Sequence, residues 1–149
     1  MSVTNTASTL KERFIGTWIL TSLTVGEGPA QTMPYGRNPA GSMMVDGNGR
    51  FMITVFRSDL PTFASGSRID GTPAENEAIV HGTIAYYGSY AIDEATGVMT
   101  VRIEACSFPN FSGHTQTRIL SFAGDVMSYI NPTPSNAGGA ANVTWRRAS

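Results

Sequence analysis

The chain has 149 residues, the length of about one domain. Its 10 basic and 11 acidic side chains leave a formal net charge of -1 at pH 7, and they are scattered along the sequence. A groove that tracks phosphates needs clustered Lys and Arg, so we expect no nucleic acid partner. The 16 glycines and 8 prolines favour many turns between short strands over long helices.

The sequence predicts a soluble protein of the cytoplasm. Cys106 is the single cysteine, so no disulfide can form within the chain, as is typical of a reducing compartment. The first nine residues are polar and lack the apolar core of a signal peptide. No apolar run has the length needed to cross a membrane. We expect a single domain over residues 1–149, in which residues 1–13 form an N-terminal tail and helix.

Two helices and eight strands are predicted in chain order. A short helix over residues 6–14 ends at Gly16, and a second, with Thr72 as N-cap and Pro73 at its first position, extends to residue 80. Asp46-Gly47-Asn48-Gly49 is the strongest short hairpin signal. The predicted strands cover residues 16–25, 41–46, 50–56, 85–92, 98–105, 114–122, 126–130 and 140–146.

Short antiparallel strands joined by tight turns predict an all-β fold, an eight-stranded up-and-down barrel. Residues 26–40 and 57–72 are two long irregular connections. Connections of this length in a compact domain usually have a role, and we expect these to form a rim or lid.

Charged residues interrupt the apolar pattern of the strand at 98–105. Arg102 and Glu104 share one face, while Val101, Ile103 and Ala105 share the other. Opposite charges in such a strand need partners, so they are the best chemical lead in the sequence.

A hairpin folded about Phe111 would place Glu104 opposite Arg118. Cross-strand and diagonal neighbours would then join one polar cluster. If this face points into the barrel, the cluster orients a ligand or supplies acid–base and electrostatic catalysis. If it points outward, Glu104 and Arg118 form a surface ion pair worth well under about 1 kcal/mol. The further members of the predicted cluster are Arg102, Gln116 and His114.

Tyrosines, methionines and a phenylalanine are further candidates for contact with a ligand. Tyr86 and Tyr90 share one face of their strand, and Tyr87 lies on the other beside small residues. The predicted catalytic residues are Glu104, Arg118, His114 and Tyr86, and the predicted ligand-binding residues are Tyr87, Tyr90, Arg102, Gln116, Met44, Met52, Phe56 and Tyr35.

The sequence predicts neither a metal nor a cofactor. There are two histidines, and no acidic residue stands at a recognisable ligand spacing from them. Residues 36–41 contain glycines, but they also contain a proline and do not lead into a helix, so a phosphate-binding loop is not expected. Cys106 stands in an apolar strand and is expected to be an inert core or wall residue.

Five pieces of the sequence, taken in order, resemble the small bacterial and fungal lipocalin-like domain proteins. This resemblance spans about residues 14–147 and implies an eight-stranded barrel that binds a small apolar molecule. It also implies that Trp18 packs at the closed end of the barrel, with Arg146 or Arg147 lying across it. The pieces are Gly16-Thr17-Trp18-Ile19-Leu20, Tyr35-Gly36-Arg37-Asn38-Pro39-Ala40-Gly41, Ala85-Tyr86-Tyr87-Gly88-Ser89-Tyr90, Phe108-Pro109-Asn110-Phe111-Ser112-Gly113 and Trp145-Arg146-Arg147.

Three functions remain open at this point. The first is a binding module, monomeric or homodimeric, for a small apolar molecule that is polyketide-, terpene- or lipid-like. The second is a cofactor-independent cyclase or isomerase of natural-product biosynthesis acting on such a substrate. The third is a structural or oligomer-forming barrel with a filled core.

Overall fold

Eight antiparallel strands close into an up-and-down barrel in sequence order, and the last strand pairs with the first. This computed structural model describes residues 8–136 and 138–148. The predicted fold class is confirmed. The elements are α1 (Leu10–Phe14), β1 (Gly16–Val25), β2 (Ala40–Val45), β3 (Arg50–Phe56), α2 (Pro73–Gly82), β4 (Thr83–Ile92), β5 (Val98–Cys106), β6 (Thr115–Ala123), β7 (Val126–Asn131) and β8 (Ala141–Arg147), with short 3₁₀ turns at Gly28–Ala30 and Pro109–Phe111.

The two helices begin at side-chain caps. Thr9 caps α1, which is therefore shorter than the predicted helix over 6–14; positions 6 and 7 lie outside the described residues. In α2 the Thr72 hydroxyl accepts from the Glu75 amide at 3.1 Å, and the Glu75 carboxylate accepts from the Thr72 amide at 2.9 Å. This reciprocal pair is a capping box, and it confirms the predicted start of the helix.

Side chains alternate between the inside and the outside of the barrel. In β3, Phe51, Ile53 and Val55 are buried, whereas Met52 and Phe56 point outward. The inner residues of all strands, together with Phe14, form one continuous apolar core.

Two irregularities change the alternation. A shift in the β1–β8 register between Leu20 and Ser22 turns Leu23 inward, although strict alternation predicts it on the outer face with Ile19. A second shift, between Tyr87 and Gly88, lies in the β4–β5 pairing. A Cβ at Gly88 would overlap the Arg102 carbonyl, so this close approach of two strands requires glycine.

One end of the barrel is closed by α1 and the C-terminal arginine of β8. The Trp18 indole donates to the Phe14 carbonyl at 2.9 Å. The Arg147 guanidinium lies 4.3 Å from the centre of a Trp18 ring and donates to the carbonyls of Ile15, at 3.0 Å, and Arg13. Arg147 therefore lies across the tryptophan.

At the opposite end, four longer connections gather around the barrel mouth. They are residues 26–39, residues 57–72 with α2, residues 107–114, and residues 132–136 with 138–140. Within the described residues, no helix combines the length and apolar character required to cross a membrane.

We expect Arg147→Ala to lower the free energy of unfolding by about 2 kcal/mol, because the change removes two hydrogen bonds and a cation–π contact. Urea unfolding of both proteins measures this loss. Arg146→Ala is the matched control, since Arg146 is the exposed neighbour on the same strand, and its effect should stay within about 0.5 kcal/mol. Equal losses in the two variants would contradict the structural role of Arg147.

Candidate ligand-binding site

The pairing of β5 with β6 decides which polar side chains enter the barrel. Arg118 lies opposite Met99, and Gln116 lies opposite Val101. The predicted partner of Arg118 was Glu104, five residues further along β5, so that prediction is wrong. An odd shift exchanges the two faces of a strand, which is why Gln116 and Arg118 point inward.

The error has a local cause in the connection between the strands. The Ile103 amide donates to the His114 carbonyl at 2.9 Å, and the Gly113 amide donates to the Ile103 carbonyl at 2.8 Å. The hairpin therefore closes at Ile103, and the last residues of β5 pair with β4 alone. Phe111 lies in the 3₁₀ turn of this wide connection.

The predicted polar cluster is divided between the two sides of the barrel wall. Glu104 points outward and pairs with Arg50 through two hydrogen bonds of 2.8 Å. The bonds from Arg50 hold the pKa of the Glu104 carboxyl below its usual range. Arg102 is also exposed on the outer face, and His114 is exposed in the connection. Neither these two residues nor Glu104 lies inside with Arg118.

Four further predicted ligand-binding residues point outward. Met44 pairs with Met52, and Met52 pairs with Tyr87, so the three side chains form a row across β2, β3 and β4. With Arg50 they line an outer cleft of about 500 Å³. Phe56 is exposed at the end of β3 near the mouth.

Arg118 is the one buried charged side chain of the described residues, with 2 % of its surface exposed. Its Nη1 donates to the Thr117 carbonyl at 3.0 Å and to Asn131 Oδ1 at 3.1 Å. Its Nη2 reaches the Tyr86 hydroxyl at 3.5 Å, the limit of a hydrogen bond. The guanidinium also faces the Tyr129 ring, 5.8 Å from its centre.

No carboxylate of residues 8–136 and 138–148 forms an ion pair with Arg118. Every Asp and Glu side chain is exposed, except that of Glu75, which is half-buried in the α2 cap. Burial lowers the pKa of the guanidinium, but the oxygens of Tyr86 and Tyr129 raise it, and the net direction is upward. Arg118 is thus a buried cation without a counter-ion among these residues.

Two aromatic side chains with polar tips border Arg118. Burial raises the pKa of the Tyr129 hydroxyl, with a further rise from Tyr86. This hydroxyl faces both Arg118 and the Trp145 indole, yet in the described part of the chain Trp145 Nε1 reaches no acceptor at hydrogen-bond geometry. Trp145 is fully buried, so its N–H is removed from water and has no hydrogen-bond partner among the described residues.

These polar groups border a small cavity inside the barrel at the loop-covered end. Its volume is about 40 Å³, enough for about three water-sized particles. A second space of about 10 Å³ lies on the closed-end side of Arg118 and Tyr86. The main cavity is lined by Leu23, Tyr35, Ile53, Val55, Ile84, Tyr86, Phe111, Arg118, Tyr129, Asn131, Pro134, Ser135, Asn136, Ala141, Val143 and Trp145.

A larger vestibule of about 630 Å³ adjoins this cavity outside the mouth. Tyr35, Ile84, Ser135 and Asn136 line both spaces, and we call these four shared residues the partition. Tyr35 is buried, which raises the pKa of its hydroxyl, while the facing side chains of Asn136 and Ser135 lower it. The further vestibule residues are Pro34, Ile79, Val80, His81, Thr83, Ser107 and Phe108.

The other predicted residues lie inside the wall but away from the cavity. Tyr90 shares the inner face with Tyr86, as predicted, but its hydroxyl donates to the Asp46 carbonyl at 2.7 Å near the closed end. Gln116 is buried, and its Oε1 has no donor among the described residues. Cys106 is half-buried, and burial raises the pKa of its thiol.

Sequence reasoning missed Tyr129, Asn131, Trp145, Ser135 and Asn136. Tyr129 and Trp145 had a usable signal, because alternation from the apolar Met127 and Val143 places them on the inner face. The loop residues Ser135 and Asn136 had none.

A family model described as a lipocalin-like domain matches residues 15–148. The chain belongs to the lipocalin-like domain family. A comparison with curated protein sequences found no match. In this lipocalin-like barrel, no group of three or more His, Cys, Asp or Glu side chains within the described residues is placed to hold a metal ion.

The raised pKa of Tyr129 predicts a loss of stability at high pH. The hydroxyl of an unfolded tyrosine ionises near pH 10, and the pKa of Tyr129 in the folded protein is higher. As pH rises above about 10, the unfolded state therefore loses this proton before the folded state does. The free energy of unfolding then falls with rising pH. Tyr35, Tyr90 and Cys106, whose pKa values are also raised, contribute with the same sign. Tyr129→Phe should make this fall shallower by up to about 1.4 kcal/mol per pH unit.

Urea unfolding between pH 8 and about 11.5 measures the two slopes. Stability of the native protein should be nearly constant up to about pH 8, above which an unfolded cysteine begins to ionise and the contribution of Cys106 to the fall begins. Identical slopes for Tyr129→Phe and the native protein would show that this hydroxyl is not held neutral by the fold.

Proposed function

We propose that this lipocalin-like barrel binds a small, largely apolar molecule at its loop-covered end. The vestibule holds the body of the ligand, and one end of the ligand passes the partition into the inner cavity. The observation that supports the proposal is that Tyr35, Ile84, Ser135 and Asn136 line both a vestibule of about 630 Å³ and the inner cavity that Arg118 borders.

Size and lining support this assignment. Sites for small molecules usually have about 300–1,000 Å³, with mostly apolar walls and a few placed polar groups. The vestibule is within this range, and Ile79, Val80, Ile84 and Phe108 contribute apolar surface to it. Arg118 supplies a polar group at the bottom of the inner cavity, where it can fix the orientation of a bound molecule.

Binding accounts for the geometry better than catalysis does. The cyclase or isomerase hypothesis assigned proton transfer to Glu104 and His114, but both are exposed outside the barrel wall. Arg118 and Tyr86 remain together inside. No carboxylate or imidazole of the described residues lines the inner cavity, so Arg118 and Tyr86 support recognition and electrostatic stabilisation.

The two tryptophans of the chain allow the site to be located. Trp145 lines the inner cavity, whereas Trp18 is buried under Arg147 at the closed end. With octanol as a neutral probe, we expect a saturable change of tryptophan emission in Trp18→Phe, because Trp145 then reports alone. The matched variant Trp145→Phe, with Trp18 as reporter, should show no change.

Native mass spectrometry of the protein from its own host complements this titration. A passenger bound in a one-to-one ratio would support the proposal and give its mass. If the purified protein carries no passenger and octanol leaves the emission of Trp145 unchanged, the proposal is contradicted and a barrel with a filled core is favoured.

Tyr35 should control the rate of entry. We expect Tyr35→Ala to raise the association rate of octanol by roughly threefold or more, since truncation opens the partition between vestibule and cavity. Stopped-flow emission of Trp145 in the Trp18→Phe background measures the rate. Met33→Ala is the control, because Met33 is exposed in the same connection; equal rates for Tyr35→Ala and this control would show that ligands enter elsewhere.

A further inference from the structure

We propose that the ligand of the inner cavity carries a carboxylate or another planar group with a single negative charge, and that Arg118 and Trp145 bind it. This inference rests on the proposed function and specifies its ligand class. It follows from the hydrogen-bond donors that converge on the cavity, from the charge they carry and from the space between them.

The donors are more numerous than the acceptors that the protein offers them. A guanidinium has five N–H groups, and the described contacts of Arg118 engage both on Nη1 and one on Nη2. Two N–H groups remain, on the neighbouring nitrogens Nε and Nη2, and the Tyr129 hydroxyl also faces this guanidinium. Together with the Trp145 indole these are three donors, and one hydroxyl oxygen accepts at most two hydrogen bonds, so at least one donor is left for a ligand. The unpartnered Nε1–H of Trp145 borders the same cavity.

An ionised carboxylate complements this arrangement because it only accepts hydrogen bonds. A neutral amide or alcohol would bring donors of its own next to Arg118 and would leave the buried positive charge uncompensated. One guanidinium without a second cation matches a single negative charge, which favours a carboxylate or an enolate over a phosphate dianion.

The volume agrees with the chemistry. The inner cavity of about 40 Å³ has room for about three water-sized particles, and a carboxylate has three non-hydrogen atoms. The attached chain would leave past Tyr35 into the vestibule, whose walls are apolar at Ile79, Val80 and Phe108. The predicted ligand class is therefore an apolar molecule with one anionic end.

Matched probes test the charge of that end. Straight-chain carboxylates from butanoate to decanoate are compared with the primary amides of the same length by isothermal titration calorimetry at pH 7.5. We expect the best carboxylate to bind about 10- to 100-fold more tightly than its amide, as charge-assisted hydrogen bonds to a buried guanidinium imply. In the Trp18→Phe background, the same titration should change the emission of Trp145.

Arg118→Met should abolish the preference for the carboxylate. Methionine is apolar and similar in length, and Asn131 Oδ1 keeps the Thr133 amide as a donor after the change, so the barrel should remain folded; urea unfolding checks this. Arg118→Lys is the second variant: it keeps the charge without the planar pair of donors and should retain a reduced preference. Arg102→Met is the matched control on the outer face and should leave the preference unchanged.

Separate results overturn the inference and the proposed function. Equal affinities for carboxylate and amide, or a preference that survives in Arg118→Met, would overturn the anionic ligand while octanol binding still supports the binding site. Tighter binding of the amides than of the carboxylates would also overturn the anionic ligand. Failure of octanol and of all carboxylates and amides to bind would overturn both.

Discussion

The hydrogen bonds that close the β5–β6 hairpin decide the chemistry inside this barrel. They join Ile103 to Gly113 and His114, and with that register Arg118 points inward. A slip of one residue would put Arg118 in water and Thr117 inside, because inner and outer positions alternate. Burial of a guanidinium costs desolvation free energy, so the polar contacts around Arg118 are a direct consequence of this register.

The two ends of the barrel use arginine in different ways. At the closed end, Arg147 lies on the ring of Trp18 and donates to two backbone carbonyls that α1 and its C-cap leave available. That arrangement joins the first and last elements of the chain. At the loop-covered end, Arg118 is more deeply buried, and its contacts leave part of its donor capacity unused. The first arginine has a structural role, and the second has the donors that the proposed ligand would use.

Most of the fold could be predicted from the sequence because the patterns that indicate its turns, helix starts and strands are local. The turn at Asp46-Gly47-Asn48-Gly49, the capping box at Thr72 and the alternation of β3 each depend on a few neighbouring residues. The site depends on strand register, and a single inserted residue exchanges the inner and outer faces of the strand that follows it. The irregularity after Leu20 and the wide connection after Cys106 both change which side chains point inward. Arg118 was therefore identified as a candidate but assigned the wrong partner.

A barrel with a filled apolar core does not require a buried cation. Methionine or leucine at position 118 would pack among Tyr86, Tyr129 and Val101 without desolvation, and such replacements of buried charge are often neutral or stabilising. The inner cavity is small, yet it adjoins Arg118 and Trp145 rather than the apolar closed end, and it shares Tyr35, Ile84, Ser135 and Asn136 with the vestibule. Unused donors at the bottom of an enclosed space are what a site for an anionic ligand requires before the ligand arrives. The binding hypothesis explains Arg118, and the filled-barrel hypothesis leaves its cost unexplained.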